Sequence, residues 1–185
     1  MRSVAVELGV GTMSLYRYIE TRDQLEIMIV DLVLAKVALK PPAAEWSDAV
    51  SILAEEMRRA LTAHPATATL VVTHRFTSAN GLRWAEALLT ALTAAGLTGK
   101  QRYFAFRTLV GYVVGAFQTE YTVPFPRETA ALPAELRADE FPLLAENARD
   151  ARRVGFDDEF RYGLGVVLDG LAHSVRRSSK PRGRL

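Results

Sequence analysis

The stretch VAVELGVGTMSLYRYIETR, residues 4–22, decides how the N-terminal part of the chain folds. Val4, Ala5 and Leu8 are spaced to share one apolar face of a helix. Gly9 follows them at the position where helices commonly end in a left-handed residue, which glycine adopts without a steric penalty. The pattern therefore predicts a short helix that ends at Gly9.

A second short helix follows in the same stretch. Val10 and Gly11 form the predicted turn, and the hydroxyl of Thr12 can cap the new helix. Leu15 and Ile19, four residues apart, would anchor this helix to the core. Two helices joined by a short glycine-containing turn form a helix-turn-helix.

The opposite face of the second helix carries hydroxyl, thioether, guanidinium and phenol groups. Such groups can contact base edges and phosphates in a DNA major groove. The residues concerned are Thr12, Met13, Ser14, Arg17 and Tyr18. An ordinary helical hairpin with a solvated face fits the same spacing, because a helix–glycine–helix pattern is common.

The string LGVGTMSLYRYIETRDQL, residues 8–25, resembles the recognition segment of the tetracycline-repressor (TetR) family of bacterial transcription regulators. The matching residues are Leu8, Gly9, Val10, Leu15, Tyr16, Tyr18 and Arg22. The resemblance implies that Tyr16, Tyr18 and Arg22 hold phosphates, and that Arg2 contacts the DNA backbone. It also implies four side chains that face bases: Thr12, Met13, Ser14 and Arg17. For Tyr16, packing in the core is an alternative.

One departure from the family concerns the start of the chain. Family members place a further helix before the position of Arg2, whereas this sequence begins at Met1. We therefore expect an incomplete DNA-binding head that lacks its first helix. Either the protein starts further upstream or this is a truncated form. The first is favoured, because exposing the apolar side chains that this helix would cover costs several kcal/mol. The upstream coding sequence distinguishes the two.

Composition places the chain among globular proteins. Of its 185 residues 49% are apolar, which suffices for a core, and a net charge of +2 does not by itself argue for nucleic acid. The absence of cysteine excludes disulfides and thiolate metal sites. The sequence has no signal-peptide pattern and no apolar run of about 18 residues, so we expect a cytoplasmic protein without membrane contact.

Helical periodicity continues along the chain without a strand pattern, so the predicted fold class is all-α. We place the partial head and a linking helix in 1–40, a helical ligand-binding and dimerisation body in 45–177, and a disordered tail in 178–185. The linking helix begins with a capping box formed by Thr21 and Gln24. It is expected to continue for about 27 Å, to the pair of prolines that follows.

In the body, the periodicity predicts helices that are interrupted at His64-Pro65 and at Asn80-Gly81. A long helix to about Tyr121 is apolar on nearly every side, so it should be buried on more than one face. Three prolines predict a long irregular connection over 122–140. Segments such as HPATATLVV and GYVVGAF are similar to the ligand-binding body of TetR regulators.

No catalytic pattern is present: we find no HExxH, no Gly-x-Ser-x-Gly and no phosphate-binding glycine loop. The three histidines are scattered. His64 is expected to end a helix and His173 to be exposed, whereas His74 either lines a pocket or faces water. We therefore expect neither an enzyme nor a cofactor or metal site.

Several body residues are candidates for an effector pocket, with core filling as the alternative for each aromatic side chain. They are His74, Trp84, Leu88, Phe104, Val114, Phe117, Gln118 and Tyr121. The resemblance to the tetracycline repressor implies that a magnesium-chelated drug would be held near Leu70 and Thr119. Leu70 has no ligand atom and Thr119 has only a neutral hydroxyl. Two alternatives stay open: a one-residue slip would bring Glu120 to the second position, and His74 lies one helical turn from Leu70. A mostly apolar effector bound without a metal is therefore expected.

Small residues on the two longest predicted helices indicate a homodimer, because they let helix backbones approach closely. The predicted interface contains Gly111, Gly115, Gly163, Leu164, Val167, Gly170 and Leu171. Packing of these glycines within one chain is the alternative.

Two functions fit these observations. The first is a ligand-responsive DNA-binding regulator, a repressor that a small-molecule effector releases from operator DNA. The second is a helical ligand-binding module that no longer binds DNA because its head is incomplete.

Overall fold

The computed structural model describes residues 1–41, 45–121 and 139–179. Within its helices it does not describe the side chains of Thr12, Leu15, Tyr121, Arg177, Ser178 and Ser179. Every regular element of the described residues is helical, which confirms the all-α class. The α-helices are α1 (Arg2–Glu7), α2 (Thr12–Tyr16), α3 (Arg22–Leu34), α4 (Trp46–Thr62), α5 (Ala68–His74), α6 (Ala79–Ala94), α7 (Gly99–Tyr121), α8 (Pro142–Ala151) and α9 (Phe156–Ser179).

A short 3-10 helix, Pro65–Thr67, precedes α5, with His64 as its N-cap. His64 thus follows the end of α4, as its position before a proline predicted. Most of the predicted connection over 122–140 lies outside the described residues, as do residues 180–185 of the predicted tail. In the part of the chain that the structure describes, no helix combines the length and hydrophobicity needed to cross a membrane.

The chain divides into two compact units. The first comprises Met1–Pro42 and Ile52–Leu88, and the second comprises Ala43–Ser51 and Leu89–Leu185. The first unit is therefore larger than the predicted head, and within it α3 packs against α5.

The turn between α1 and α2 forms as the sequence predicts. Gly9 has a φ of 65°, in the left-handed region. Its amide donates to the carbonyl of Val6 at 3.1 Å, and the amide of Val10 donates to the carbonyl of Ala5 at 3.0 Å. This pair of bonds closes a helix end around a left-handed residue and satisfies carbonyls that the helix leaves unpaired.

A small core holds this turn together. Ala5 and Ile19 are buried, and Met1, Val4 and Leu25 pack against them. Leu8, the C-cap residue of α1, is 61% exposed. Exposure of an apolar side chain here is what we expect of a head that lacks the helix covering it.

Helix α3 begins with the predicted capping box. The Thr21 hydroxyl accepts from the amide of Gln24 at 3.1 Å, and the Gln24 side chain accepts from the amide of Glu20 at 2.8 Å. The helix ends at Leu34 and has 13 residues, or about 20 Å, so the prediction of 27 Å was wrong. A tighter turn, in which the Val37 amide donates to the Leu34 carbonyl, follows the helix and buries Val37.

Helix α6 begins at a close approach of two backbones. A Cβ on Gly81 would lie 1.9 Å from the carbonyl oxygen of Arg75, so only glycine fits there. The buried hydroxyl of Ser78 accepts from the Gly81 amide at 3.0 Å and caps the helix. The predicted break at Asn80-Gly81 was wrong, because both residues lie in the first turn of α6.

Asp31 of α3 supplies a further cap to the same helix. Its carboxylate accepts from the Asn80 amide at 2.7 Å and from the Asn80 side chain at 3.0 Å. The backbone carbonyl of Asp31 accepts from that side chain as well, also at 3.0 Å. Three hydrogen bonds therefore fix the start of α6 to α3.

Replacing Asp31 with alanine is expected to lower the free energy of unfolding by about 1–3 kcal/mol, because partly buried donors of Asn80 lose a charged acceptor. Asp31→Asn, which keeps one acceptor oxygen, should cost less. Urea unfolding of the three proteins measures the difference. A loss below about 0.5 kcal/mol for Asp31→Ala would contradict the capping role.

In the second unit, α7 packs against α9. The Tyr112 hydroxyl donates to the carbonyl of Phe160 at 2.7 Å, and the two rings are 5.6 Å apart. A Cβ on Gly163 would lie 2.5 Å from the Tyr112 hydroxyl oxygen. The small size of Gly163 therefore serves contact within one chain.

The prediction that α7 is buried on more than one face holds for its middle, where Leu109, Val110 and Val113 are buried. It was wrong near the N-terminus of the helix, where Tyr103 and Phe104 are exposed and contact each other edge to face. The apolar composition of α7 therefore leaves part of its surface in water in the isolated chain.

Candidate nucleic-acid interface

The residues predicted to contact DNA belong to the first unit, and the structure describes the side chains of all of them except Thr12. Met13 and Tyr18 are 81% and 79% exposed, and Tyr16 is 43% exposed. Arg2 and Arg17 are also exposed, whereas Ser14 is half-buried. The partial exposure of Tyr16 is compatible with a phosphate contact and argues against the alternative that it simply fills the core.

Helix α2 is shorter than the pattern predicted. It ends at Tyr16, and the Arg17 amide donates to the Ser14 carbonyl at 3.3 Å in the turn that follows. Arg17 and Tyr18 were predicted on the helix face, and this was wrong, because the chain leaves the helix to bury Ile19. Arg17 and Tyr18 are nevertheless only a few positions from Met13 and Ser14 in the sequence, and both are exposed.

Arg22 opens α3 next to this segment. Its guanidinium donates to Glu26 Oε1 at 2.7 Å, one helical turn further on. The guanidinium is 81% exposed, so it can turn toward a phosphate. Arg22, and to a smaller extent His74, hold the pKa of Glu26 below its ordinary value of 4.5 by hydrogen bonding to its carboxylate.

The predicted effector residues of the first unit are interior residues. Leu88 is buried, and so is Trp84, whose indole donates to the carbonyl of Leu53 at 2.9 Å. His74 is also buried, and its Nε2 lies 3.2 Å from Glu26 Oε2. Of the two alternatives for His74, lining a pocket or facing water, its burial excludes the second.

The predicted effector residues of the second unit differ in exposure. Phe117 is buried, Val114 and Gln118 are half-buried, and the side chain of Tyr121 lies outside the description. Phe104 is 62% exposed and was wrongly assigned to an interior pocket. It lies on the outward face of the second turn of α7.

A cavity of about 300 Å³ lies elsewhere in the second unit, between α7 and α9. Tyr112, Thr119 and Glu120 line it from α7, and Phe156 and Glu159 line it from α9. The volume is at the lower limit for small-molecule sites. Periodicity did not point to this cavity, because its lining residues come from two helices that are far apart in the sequence.

The predicted dimer residues fall into two groups. Leu164 is only 3% exposed and belongs to the core of its own chain, and Gly163 accommodates Tyr112 of the same chain. The dimer contact itself stays a prediction. A Cβ on Gly111, Gly115 or Gly170 would meet nothing within 4 Å. Val167 and Leu171 are half-buried.

A group of possible metal ligands was missed by the sequence analysis. Asp23, Glu26 and His74 each place one ligand atom within 4.8 Å of the other two. His74 is 48 residues from Glu26 in the sequence, so no local motif could reveal the cluster. Of the other histidines, His173 is exposed, as predicted.

The N-terminal part of the chain consists of a short helix, a glycine turn and a second short helix with an exposed polar segment, and a body made of helices follows. This arrangement is that of a helix-turn-helix transcription regulator. A family model described as "Tetracyclin repressor-like, C-terminal domain" matches residues 40–175. The chain belongs to this tetracycline-repressor-like (TetR) family of transcription regulators. Family membership indicates a regulator and not an enzyme.

Individual proteins agree with this assignment. The HTH-type transcriptional repressor DrrR1 of Streptomyces coeruleorubidus is 31% identical over 92% of this chain and 68% of its own length. A possible TetR family transcriptional regulator from Streptomyces coelicolor A3(2) is 26% identical, with a TM-score of 0.83 over 94% of this chain and 88% of that one. ActR of Streptomyces coelicolor in complex with actinorhodin is 25% identical, with a TM-score of 0.77 over 95% and 87% of the two chains.

Proposed function

We propose that this protein is a repressor that binds operator DNA as a homodimer and leaves it when a small-molecule effector binds the body. The exposed segment from Met13 to Tyr18 carries the proposal, because it presents base-reading and phosphate-binding groups next to a well-formed turn at Gly9. An effector that binds better to a form whose two heads are wrongly spaced would release DNA. Such a regulator works in the cytoplasm.

The proposed roles in DNA binding are those that the family resemblance implies, and the exposure of Met13, Arg17, Tyr18 and Arg22 supports them. Arg17 and Met13 face bases together with Ser14 and Thr12, and Tyr16, Tyr18, Arg22 and Arg2 hold phosphates. Arg22 has two alternative partners, Glu26 in the free protein and a phosphate in the complex. Its exchange of partners is inexpensive, because an exposed ion pair contributes only about 0–1 kcal/mol.

The proposed dimer contact uses the surface of α7 and α9 that remains open in one chain. Gly111 and Gly115 on α7 leave room for a partner helix, as does Gly170 on α9. Tyr162 and Val166 precede Gly170 by two and one helical turns and are exposed. Two exposed apolar side chains in line with a glycine form a surface that a second copy can cover.

Replacing Val166 with glutamate is expected to convert the dimer to a monomer at micromolar concentration, because it would bury an unpaired charge in the contact. Leu82→Glu is the matched control, since Leu82 is 51% exposed and Val166 is 57% exposed. Light scattering measures the mass. A monomeric wild-type protein, or a dimeric Val166→Glu variant, would contradict the proposed contact.

The proposed effector is mostly apolar and needs no metal. A relative, ActR, has been solved in complex with actinorhodin, which supports a small organic molecule as the ligand class. The position that would carry a metal ligand in the tetracycline repressor is Leu70 here, and the Thr119 hydroxyl donates to the Gly115 carbonyl at 2.8 Å. Within the second unit, half-buried Val114 and Gln118 remain candidate contacts.

Magnesium is therefore not expected to change effector affinity. A panel of planar aromatic compounds that includes actinorhodin can be screened by thermal shift, and the hits titrated with magnesium and with a chelator. The dissociation constants should agree within about twofold. An affinity that rises about tenfold with magnesium, or 1.4 kcal/mol, would contradict binding without a metal.

A further inference from the structure

Two carboxylates of α3 and one imidazole of α5 converge on a single point in the first unit. His74 Nε2 lies 3.2 Å from Glu26 Oε2 and 3.8 Å from Asp23 Oδ1, and all three ligand atoms lie within 4.8 Å of one another. Asp23 and Glu26 are three residues apart, so they share one face of α3. His74 is the last residue of α5 and approaches that face from the side.

These distances are close to those of a coordination site. With zinc–ligand bonds of 2.0–2.2 Å, tetrahedral geometry places neighbouring ligand atoms about 3.3 Å apart. The pair formed by His74 and Glu26 is already at this spacing. Rotation of the Asp23 side chain, which is 72% exposed, suffices to bring its oxygen into range.

We propose that Asp23, Glu26 and His74 bind one divalent transition-metal ion of the zinc type, with water in the remaining position. One imidazole nitrogen and two carboxylate oxygens suit zinc, cobalt or nickel, whereas magnesium and calcium prefer sites made of oxygen alone. The two carboxylates balance the charge of the ion. This proposal does not depend on the proposed DNA and effector binding.

The surroundings of the three residues favour this assignment. Glu26 offers Oε2 to the site while its Oε1 accepts from Arg22 at 2.7 Å, and such an outer hydrogen bond fixes the orientation of a ligating carboxylate. The side chain of His74 is 6% exposed, so its orientation is set by packing. The exposed Asp23 provides the path by which an ion enters.

The bound ion would connect two helices that otherwise meet through side-chain packing. Helix α3 directly follows the segment proposed to contact DNA. Helix α5 begins 34 residues after the last residue of α3. The ion site shares one residue, His74, with the candidate effector residues. A bound ion would stabilise the folded first unit, and more so as the concentration of free ion rises.

The test uses the full chain and two metals, Zn²⁺ for affinity and Co²⁺ for the visible absorption that reports protein ligands. Zinc is titrated in competition with a chromophoric chelator. We expect one ion per chain, a rise in melting temperature with zinc, and a visible cobalt spectrum. Asp23→Asn and His74→Gln should each weaken zinc binding at least about tenfold and remove the cobalt bands.

Asp48→Asn is the matched control, since Asp48 and Asp23 both lie in the first turn of a helix and are exposed. It should bind zinc like the wild type. If His74→Gln does not fold, Asp23→Asn at an exposed position still decides the question. Absence of stoichiometric zinc binding, or equal binding by wild type and Asp23→Asn, would overturn the proposal.

Discussion

Replacing Trp84 with alanine is expected to lower the free energy of unfolding by about 3–5 kcal/mol. Trp84 is 5% exposed, so its removal leaves a large cavity in the first unit. It also removes the indole that donates to the Leu53 carbonyl at 2.9 Å, and leaves that buried acceptor without this donor. Trp84 is thus a core residue in the structure, whatever further contact it makes with an effector.

The other tryptophan provides the control for this prediction. Trp46 is half-buried, so Trp46→Ala should cost clearly less than Trp84→Ala. The free energies of unfolding of the two variants can be compared by urea denaturation, with the loss of helix as the signal in both. Similar costs for the two substitutions would show that burial of Trp84 does not stabilise the fold as described.

Replacing Arg17 and Arg22 separately is expected to give two different losses of DNA binding. Arg17→Ala should cost about 1–3 kcal/mol on the preferred sequence and relax the choice between sequences, because the substitution removes a guanidinium that we propose reads a base. Arg22→Ala should weaken binding to all sequences. The slope of log affinity against log salt concentration should become less steep by about the amount that one phosphate contact contributes. Anisotropy titrations at several salt concentrations separate the two effects.

Arg107→Ala is a suitable control, since Arg107 is an exposed arginine on α7 in the second unit. Its replacement should leave both the affinity and the salt slope unchanged. If Arg17→Ala weakened all sequences equally and Arg22→Ala changed sequence choice, the two proposed roles would have to be exchanged. If neither had an effect, the exposed segment would not be the DNA-binding surface.

Local patterns predicted the features that depend on neighbouring residues. Gly9 closes α1 in the left-handed conformation, and Thr21 and Gln24 form their capping box, because both signals lie within one turn of the helix end that they determine. The all-α class and the family resemblance rest on many such signals together. An error at a single position therefore does not change either prediction.

Features that depend on distant partners could not be predicted in this way. Periodicity extended α3 to the prolines, but the helix ends at Leu34 and is followed by a tighter turn in which Val37 is buried. Gly163 matches the pattern of a dimer helix, yet the ring that it accommodates belongs to Tyr112 of the same chain. The cluster around His74 joins residues 48 positions apart, which no spacing rule connects.

The most direct test of the proposed function is selection of DNA sites from a randomised duplex pool by the purified protein. We expect enrichment of a two-fold symmetric sequence whose half-sites lie about one helical turn, or 10 base pairs, apart, because each head of a dimer reads one major groove. The Arg17→Ala variant should enrich this sequence poorly or not at all. Selection of no sequence above background by the wild type, or of the same sequence equally well by Arg17→Ala, would contradict the proposal that this segment reads operator DNA.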